Sequence, residues 1–257
     1  MADQPLTYGR YLKVTELLSL QRCLTTPEHH DETLFIVVHQ AYELWFKQVL
    51  HEIDSAVAHL DRDRVGEAVR LLRRVVEIQR VLIAQVRVLE TMRPQDFLGF
   101  RYNLNPASGF QSVQFRELEF VLGLKDPALL EHLRSEPEER QRLEARLTGR
   151  TLPDAFEALL DRRLGPLAAG DARLQALVRV YEREDHPDLL GLAEVLLDID
   201  ESLSLWRAHH VQMVERMIGA KRGTGGSDGV GYLKSTLPKR AFPDLWRVRT
   251  HLGQEPE

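Results

Sequence analysis

The sequence predicts an all-α protein whose core is built from long helices. Residues 28–93 contain no proline and a single glycine, and residues 188–218 contain no proline, so helices can run through both stretches unbroken. Apolar residues recur there at helical intervals, and no alternating stretch of more than a few residues indicates a sheet. A chain of 257 residues with 43% hydrophobic content can bury one large core, so a single domain over residues 1–257 is expected.

Two helices are expected in the first proline-free stretch. Thr25 and Glu28 have the spacing of a capping box and Pro27 suits a first helical turn, so the first helix is predicted to start there. A turn at residues 61–64 leads to a second helix over residues 65–92. The core face of the first helix is predicted from Leu34, Phe35, Val38, Tyr42, Leu44, Trp45, Val49 and Ile53. That of the second is predicted from Leu71, Val75, Ile78, Leu82, Val86 and Leu89.

The rest of the chain is predicted to be helical in shorter pieces, with one exception. Ser108 and Gln111 form another capping-box pair, placed before a helical segment over residues 112–122. Residues 126–185 are richer in charge and proline, which indicates short helices. Residues 188–218 are expected to form one long helix, and residues 232–252 a tail with a short helix.

Composition excludes several classes of protein. The formal charge of −5 and pI near 6.1 show no excess of basic residues that would draw the protein to nucleic acid or to a membrane surface. No secretory leader or membrane-spanning stretch is visible, so a soluble, unexported protein is expected. The one cysteine, Cys23, leaves no internal disulfide and no cysteine-rich metal site.

Residues 219–231, which read GAKRGTGGSDGVG, hold six of the sixteen glycines. Glycine is favoured where the main chain must adopt a positive φ or approach another group closely. Successive N–H groups beside Lys221 and Arg222, with the hydroxyls of Thr224 and Ser227, can cradle a carboxylate or phosphate. A flexible linker has the same composition, and both readings stay open at this point.

The ten histidines differ in the helix face that they share with their neighbours. His210 has Leu203, Trp206 and Met213 among the residues on its face and is predicted to point into the core, whereas His209 lies at the polar border. His39 shares its face with Phe35, Tyr42 and Phe46, a largely aromatic environment. A buried neutral imidazole suits the axial position of haem, but most such residues are ordinary core histidines. The di-iron Glu-x-x-His motif and H-E-x-x-H are both absent, so haem and no cofactor remain open.

Arg101 lies between Phe100 and Tyr102 in a segment rich in aromatic and turn residues. Such an arginine can grip a planar carboxylate with two parallel N–H bonds in a desolvated pocket, or it can stack on aromatic rings for structure alone.

Several of these stretches together resemble the tryptophan 2,3-dioxygenase family. The matching passages are LTYGRYL (residues 6–12), HHDETLFIVVHQAYELWFKQ (29–48), FLGFR (97–101), NPASGFQSVQFRELE (105–119), LWRAHH (205–210) and KRGTGGSDGVGYL (221–233). They follow the family's order over nearly the whole chain. The resemblance implies a helical bundle with long core helices that enclose a haem pocket. The stretch between residues 123 and 206 is shorter than in many members, which implies a trimmed helical subdomain at about residues 124–186.

The resemblance also implies roles for individual residues. His210 matches the proximal ligand of the haem iron, with Trp206 and Gly225 expected to contact the cofactor. His39 matches a distal catalytic histidine that accepts the indole N–H, and Phe35 and Phe97 match residues that pack around the substrate. Arg101 matches the group that binds the substrate carboxylate, joined by Thr224, which also serves the substrate ammonium. The segment 1–24 matches one that reaches the pocket of a neighbouring subunit, and its contact residues are expected to be Tyr8, Tyr11 and Leu12.

The implied activity is the haem-dependent insertion of O2 across C2–C3 of the indole of L-tryptophan, which gives N-formyl-L-kynurenine and opens tryptophan catabolism. One haem b per subunit, a homotetramer arranged as a dimer of dimers, and a cytoplasmic location go with it. A related haem mono-oxygenase that acts on tryptophan or another aromatic amino acid in biosynthesis is the alternative. A non-catalytic haem or tryptophan binder, or a helical interaction protein, is a third possibility.

Overall fold

A computed structural model of the protein describes residues 5–133, 136–183, 185–224 and 229–253. The regular secondary structure in these ranges consists of α-helices and 3-10 helices, without a strand, which confirms the predicted all-α class. The α-helices are α1 (Tyr8–Tyr11), α2 (Val14–Leu17), α3 (His30–Asp61), α4 (Val65–Leu89), α5 (Pro94–Arg101), α6 (Val113–Val121), α7 (Pro137–Thr148), α8 (Leu152–Leu164), α9 (Asp171–Arg183), α10 (Pro187–Ile218), α11 (Val230–Ser235) and α12 (Pro243–His251). Turns of 3-10 helix lie at Tyr102–Leu104, Gly109–Gln111 and Pro127–Leu133.

Helix α4 is the centre of the fold, because it packs along both α3 and α10. Its predicted apolar stripe is confirmed, since all six residues from Leu71 to Leu89 that form it are buried. Of the shorter helices, α8 packs on α3, α7 on α6 and α9 on α12. The main core therefore runs between three long helices, with a smaller apolar cluster around Phe120 and Leu143.

The face of α3 differs in part from the prediction. Val38, Tyr42, Val49 and Ile53 are buried as expected, but Leu44 is 56% exposed and Trp45 is 37% exposed. Leu44 follows Tyr42 by two residues, which places it roughly 200° away around the helix, on the side opposite α4. The predicted core position of Leu44 and Trp45 is therefore wrong, and both add apolar area to the surface of α3.

The first long helix begins later than the capping-box spacing predicts. Its N-cap is His29, whose Nδ1 accepts the Asp31 N–H, and not Thr25. Thr25 Oγ1 instead accepts the His29 N–H at 2.8 Å and donates to the buried Glu32 carboxylate at 2.5 Å. Glu32 also accepts the Leu24 N–H at 2.6 Å, so the chain makes an extra turn around this carboxylate before the helix starts.

Two other predicted boundaries need small corrections. The Ser108 and Gln111 capping box is present, but it caps the N-terminus of the 3-10 turn Gly109–Gln111. The N-cap of α6 is Ser112. Helix α4 ends at Leu89 and not at residue 92, because Pro94 disfavours a helical conformation in the residue before it. Within the described ranges, no helix is both long and apolar enough to cross a membrane.

Candidate active site

One wall of the candidate site is aromatic and is built by α3 and α5. Phe35 lies 4.0 Å from the His39 ring on its own helix, measured between centroids, and 5.7 Å from Phe97 and 5.6 Å from Phe100 on α5. Phe97 and Phe100 meet edge to face at 5.4 Å. The structure thus brings together three residues that the sequence analysis assigned to substrate binding, and adds Phe100, which it did not.

His39 has a defined tautomer. Its Nδ1 lies 2.7 Å from the Phe35 carbonyl oxygen, which can only accept, so Nδ1 carries the proton and Nε2 is left as an acceptor. Burial lowers the pKa of His39 below its ordinary value, and this outweighs the opposing effects of the Phe35 carbonyl and of Glu43. His39 is therefore a neutral imidazole with one free acceptor nitrogen.

The second wall is the part of α10 around His210. Burial is the largest cause that lowers the pKa of His210 to about 4, and the neighbouring His39 and His209 lower it further. The two walls therefore lie close enough for a charge on His39 to be felt at His210. In the part of the chain that the structure describes, neither ring nitrogen of His210 has a hydrogen bond or an ion pair. His210 is thus a neutral imidazole with its nitrogen lone pair available.

Trp206 lies one helical turn before His210 on α10 and packs against its ring. The two rings are nearly parallel, with an interplanar angle of 6° and centroids 5.0 Å apart. Trp206 also contacts Phe115 at 5.0 Å and Tyr42 edge-on at 6.2 Å. Its buried Nε1 makes no hydrogen bond of ordinary length and angle to the described residues. The Trp206 side chain still interacts with the Tyr42 hydroxyl and opposes the rise in the pKa of that phenol caused by burial, while Tyr42 donates to the Leu82 carbonyl oxygen at 2.8 Å.

Arg101 and Thr224 tie the glycine-rich segment to the end of α5. Arg101 is buried, and its Nη2 donates to the Arg222 carbonyl oxygen. Thr224 Oγ1 donates to the Ala107 carbonyl oxygen at 2.7 Å. Among the described residues Arg101 has no carboxylate partner, so a buried guanidinium keeps donors free for an anion.

The glycine at the far end of the segment is required by its geometry. Gly229 has a φ of +61°, and a Cβ added there would lie 2.9 Å from the Lys221 carbonyl oxygen. The backbone before and after the loop is therefore in close approach, which a flexible linker does not need. Gly225, predicted to contact the cofactor, lies outside the described residues.

Three predicted contact residues lie apart from this pocket in the single chain. Tyr8 and Tyr11 are 79% and 71% exposed, Leu12 is also exposed, and neither α1 nor α2 buries a residue. Among the described residues, this apolar segment buries no side chain in its own subunit.

Buried charges beside the pocket were missed by the sequence analysis. Glu119 on α6 pairs with Arg116 and with Arg207, each at 2.6 Å, and all three side chains are buried. His209 pairs with Glu90 at the end of α4 at 3.2 Å. The Arg116 and Glu119 pair has helical i,i+3 spacing and could have been found, whereas the Arg207 and His209 partners are 88 and 119 residues away.

The donor set favours one kind of metal site. In the ranges that the structure describes, no group of three or more His, Cys, Asp or Glu side chains could hold a metal ion. A single neutral imidazole suits a metal that carries its own equatorial ligands, as porphyrin iron does. The aromatic rings of Phe35, Phe97 and Trp206 and the unpartnered Trp206 Nε1 are compatible with a large planar group.

Fold and site together define a class of protein: a helical protein with aromatic side chains packed beside two neighbouring neutral imidazoles, one of which has no bond to the described residues and can bind a metal in a planar cofactor. A family model described as tryptophan 2,3-dioxygenase matches residues 1–162 and 128–252. The chain belongs to the tryptophan 2,3-dioxygenase family, and the resemblance seen in its sequence is confirmed. Members of this family are haem-dependent oxidoreductases.

Individual relatives agree over almost the full length. A tryptophan 2,3-dioxygenase of Nocardioides sp. is 53% identical over 254 residues, which is 96% of this chain and 95% of the relative. One of Herpetosiphon aurantiacus is 47% identical and covers 97% of this chain and 100% of the relative. One of Xanthomonas euvesicatoria is 41% identical and covers 96% and 88%.

Proposed function

We propose that this protein is a haem-dependent dioxygenase that converts L-tryptophan and O2 to N-formyl-L-kynurenine by insertion of both oxygen atoms across C2–C3 of the indole. Family membership supports the reaction class. The observation that carries the proposal is the presence of two neutral imidazoles, close enough for His39 to influence His210 and each packed on an aromatic ring, since one can bind iron and the other can accept a hydrogen bond from a substrate.

His210 would be the residue that holds haem b, one per subunit, by binding its iron. The low pKa of His210 keeps its nitrogen lone pair unprotonated at neutral pH, which iron ligation requires. Trp206 and Gly225 contact the cofactor. When bound, ferrous haem supplies the binding and activation of O2.

The opposite wall orients the substrate. Arg101 has five N–H donors, one of which is used by the Arg222 carbonyl, so the remaining fork can take the substrate carboxylate in two parallel bonds. Thr224, whose hydroxyl is bonded to the Ala107 carbonyl oxygen, adds its hydroxyl and backbone for the ammonium. Phe35 and Phe97 pack on the indole. These contacts turn a bimolecular encounter into a positioned one.

His39 accepts the indole N–H at Nε2. Its Nδ1 proton is committed to the Phe35 carbonyl, so only Nε2 can face a donor. In this role His39 orients the ring and tunes its reactivity, and it is not an obligatory base.

The N-terminal segment completes the site in a neighbouring subunit. Residues 1–24 dock on the partner and bring Tyr8, Tyr11 and Leu12 to its pocket, in a homotetramer built as a dimer of dimers. The support is the large apolar exposure of α1, together with the exposed Leu44 and Trp45 on α3. The subunit acts as one domain over residues 1–257, with residues 124–186 as a smaller helical part, and works in the cytoplasm.

The decisive experiment is product analysis. Reduced, haem-loaded protein is incubated with L-tryptophan under ¹⁸O2, and the product is identified by mass spectrometry. Incorporation of two labelled atoms into N-formyl-L-kynurenine is expected. A product with one labelled atom would assign the protein to the mono-oxygenases, and no product with fully loaded haem would leave only a binding protein.

A further inference from the structure

We propose that Trp206 is a positioning residue that sets the ring plane of His210 by stacking, in the place of the hydrogen-bond acceptor that usually orients a metal-binding histidine. The inference rests on the proposed ligation of haem iron by His210. It concerns what fixes the orientation of the His210 ring, not whether His210 binds the iron.

A metal-binding imidazole can rotate about its Cβ–Cγ bond unless something stops it. In most sites its second nitrogen donates to a carboxylate, a carbonyl or a water, which fixes both the tautomer and the ring plane. His39 shows such an arrangement, with Nδ1 on the Phe35 carbonyl. His210 has no such bond to the described residues, and the restraint that the structure shows on its ring plane is packing.

Trp206 is the ring that provides this packing. It lies four residues before His210 on the same face of α10, and the 6° interplanar angle leaves the imidazole flat against the indole at 5.0 Å. Rotation of the imidazole would turn its edge into the indole face. The stack therefore restricts the ring to one plane.

Trp206 is itself held by two other helices. Phe115 of α6 contacts its ring at 5.0 Å with a 42° tilt, and Tyr42 of α3 contacts it at 6.2 Å and 73°. Contacts from α6 and α3 therefore hold the Trp206 ring, and through Trp206 they fix the ring plane of His210. The Trp206 ring, held by these two aromatic contacts, presents its face to the imidazole of His210.

A stacked imidazole also differs chemically from a hydrogen-bonded one. A carboxylate acceptor makes the imidazole more basic and a stronger donor to the metal. A ring held by its face keeps the donor strength of a neutral imidazole. Trp206 thus gives orientation without increased basicity.

The test compares Trp206→Phe, which keeps an aromatic face but no N–H, with Trp206→Leu, which removes the face. Val81→Ala, at an exposed apolar residue of α4, is the control. The readouts are the rate of haem transfer to an acceptor apoprotein, the iron–histidine stretching band of the ferrous protein, and the KM for L-tryptophan. Trp206→Leu is expected to weaken haem retention about 10- to 100-fold and to broaden the band. Trp206→Phe is expected to keep most of the haem retention and of the band sharpness that Trp206→Leu loses, and Val81→Ala is expected to match the unaltered protein in all three readouts.

An unchanged band and haem transfer rate in Trp206→Leu would overturn the proposal. A Trp206→Phe variant as defective as Trp206→Leu would also overturn it, because the N–H and not the face would then matter. Should Trp206→Leu not fold, paramagnetic NMR of the ferric cyanide complex of the unaltered protein decides. One imidazole orientation parallel to the indole supports the stack, and two or more contradict it. If His210→Ala leaves the iron–histidine band intact, the proposed ligation fails instead, and the two failures are distinguished.

Discussion

Helix α10 carries two polar clusters that differ in how their hydrogen bonds are satisfied. Asp200 is fully buried, and its carboxylate accepts the N–H groups of Ala241 at 3.0 Å and Phe242 at 3.1 Å and the indole N–H of Trp246 at 3.0 Å. Ten residues later, or roughly 15 Å along the helix, His210 has no such partner in the described part of the chain.

Trp246 and Trp206, which lie in these two places, differ in the same way. The N–H of Trp246 is bonded to Asp200, whereas the buried N–H of Trp206 makes no hydrogen bond of ordinary geometry to the described residues. Buried polar groups in proteins are nearly always paired, so a cluster that is fully paired points to a structural role and one left open points to a ligand. We therefore expect changes at the Asp200 cluster to affect stability, and changes around the pocket to affect binding and catalysis.

The largest effect is expected from His210→Ala. Removal of the axial ligand should lower haem affinity on the order of a hundredfold or more, while the fold of the haem-free protein is kept. Haem titration followed by absorbance, with urea unfolding of the haem-free protein, measures both. His209→Ala is the control and should retain haem. A normal ferrous spectrum in His210→Ala would move the ligand to His209.

Arg101→Ala is expected to raise the half-saturating concentration of L-tryptophan. Loss of a buried charged partner costs about 2 to 5 kcal/mol, which corresponds to roughly 30-fold to several thousandfold. Steady-state kinetics with Arg93→Ala, an exposed arginine of the same region paired with Asp96, as control gives the comparison. A change of less than about threefold would refute the carboxylate clamp.

Asp200→Ala is expected to destabilise the protein by about 3 to 5 kcal/mol, because three buried donors lose their acceptor. Asp200→Asn keeps one acceptor oxygen and should cost less. Urea unfolding measures both, with the exposed Asp198→Asn as control, for which a change within about 0.5 kcal/mol is expected. Equal stability of Asp200→Ala and Asp198→Asn would remove the distinction between the two clusters.

The two tryptophans can be compared directly by replacement with phenylalanine. Trp246→Phe takes one donor from Asp200 and should cost about 1 to 2 kcal/mol. Trp206→Phe removes an N–H that has no partner, so the lost stability should be under about 1 kcal/mol. Urea midpoints at an unchanged m-value test this. The reverse order of the two variants would contradict the assignment of roles.

The pH dependence of the haem-free protein tests whether His39 and His210 are buried in their neutral form. His39 and His210 have lower pKa values in the folded protein than in the unfolded chain, chiefly because of burial. The unfolded chain therefore binds more protons as pH falls below about 6.5, so stability should decrease from there towards pH 4. His210→Ala should flatten this decrease. Unfolding midpoints that stay constant between about pH 7 and 5 would disagree with the buried neutral state.

Much of the fold could be predicted because the apolar spacing of a helix is visible within a short stretch of sequence. Residues 65–92 repeat apolar side chains at helical spacing, and the structure differs from the predicted helix only in its last turn. The start of α3 was mispredicted, because the buried Glu32 carboxylate collects donors from Leu24 and Thr25 and delays the helix. Leu44 and Trp45 were misplaced because apolar residues on both faces of α3 hide which face meets α4.

For the candidate site, the sequence by itself determined that His39 and His210 lie on largely apolar helix faces, since helical periodicity alone sets which residues share a side. The tertiary structure decided which groups face them. It placed Phe97 and Phe100 on Phe35, Arg101 on a carbonyl 121 residues away, and Glu119 between two arginines. These contacts join residues far apart in the chain, and local pattern carries no information about which distant surfaces will meet. The pairing of Trp246 and the isolation of the Trp206 N–H are likewise results of packing between helices.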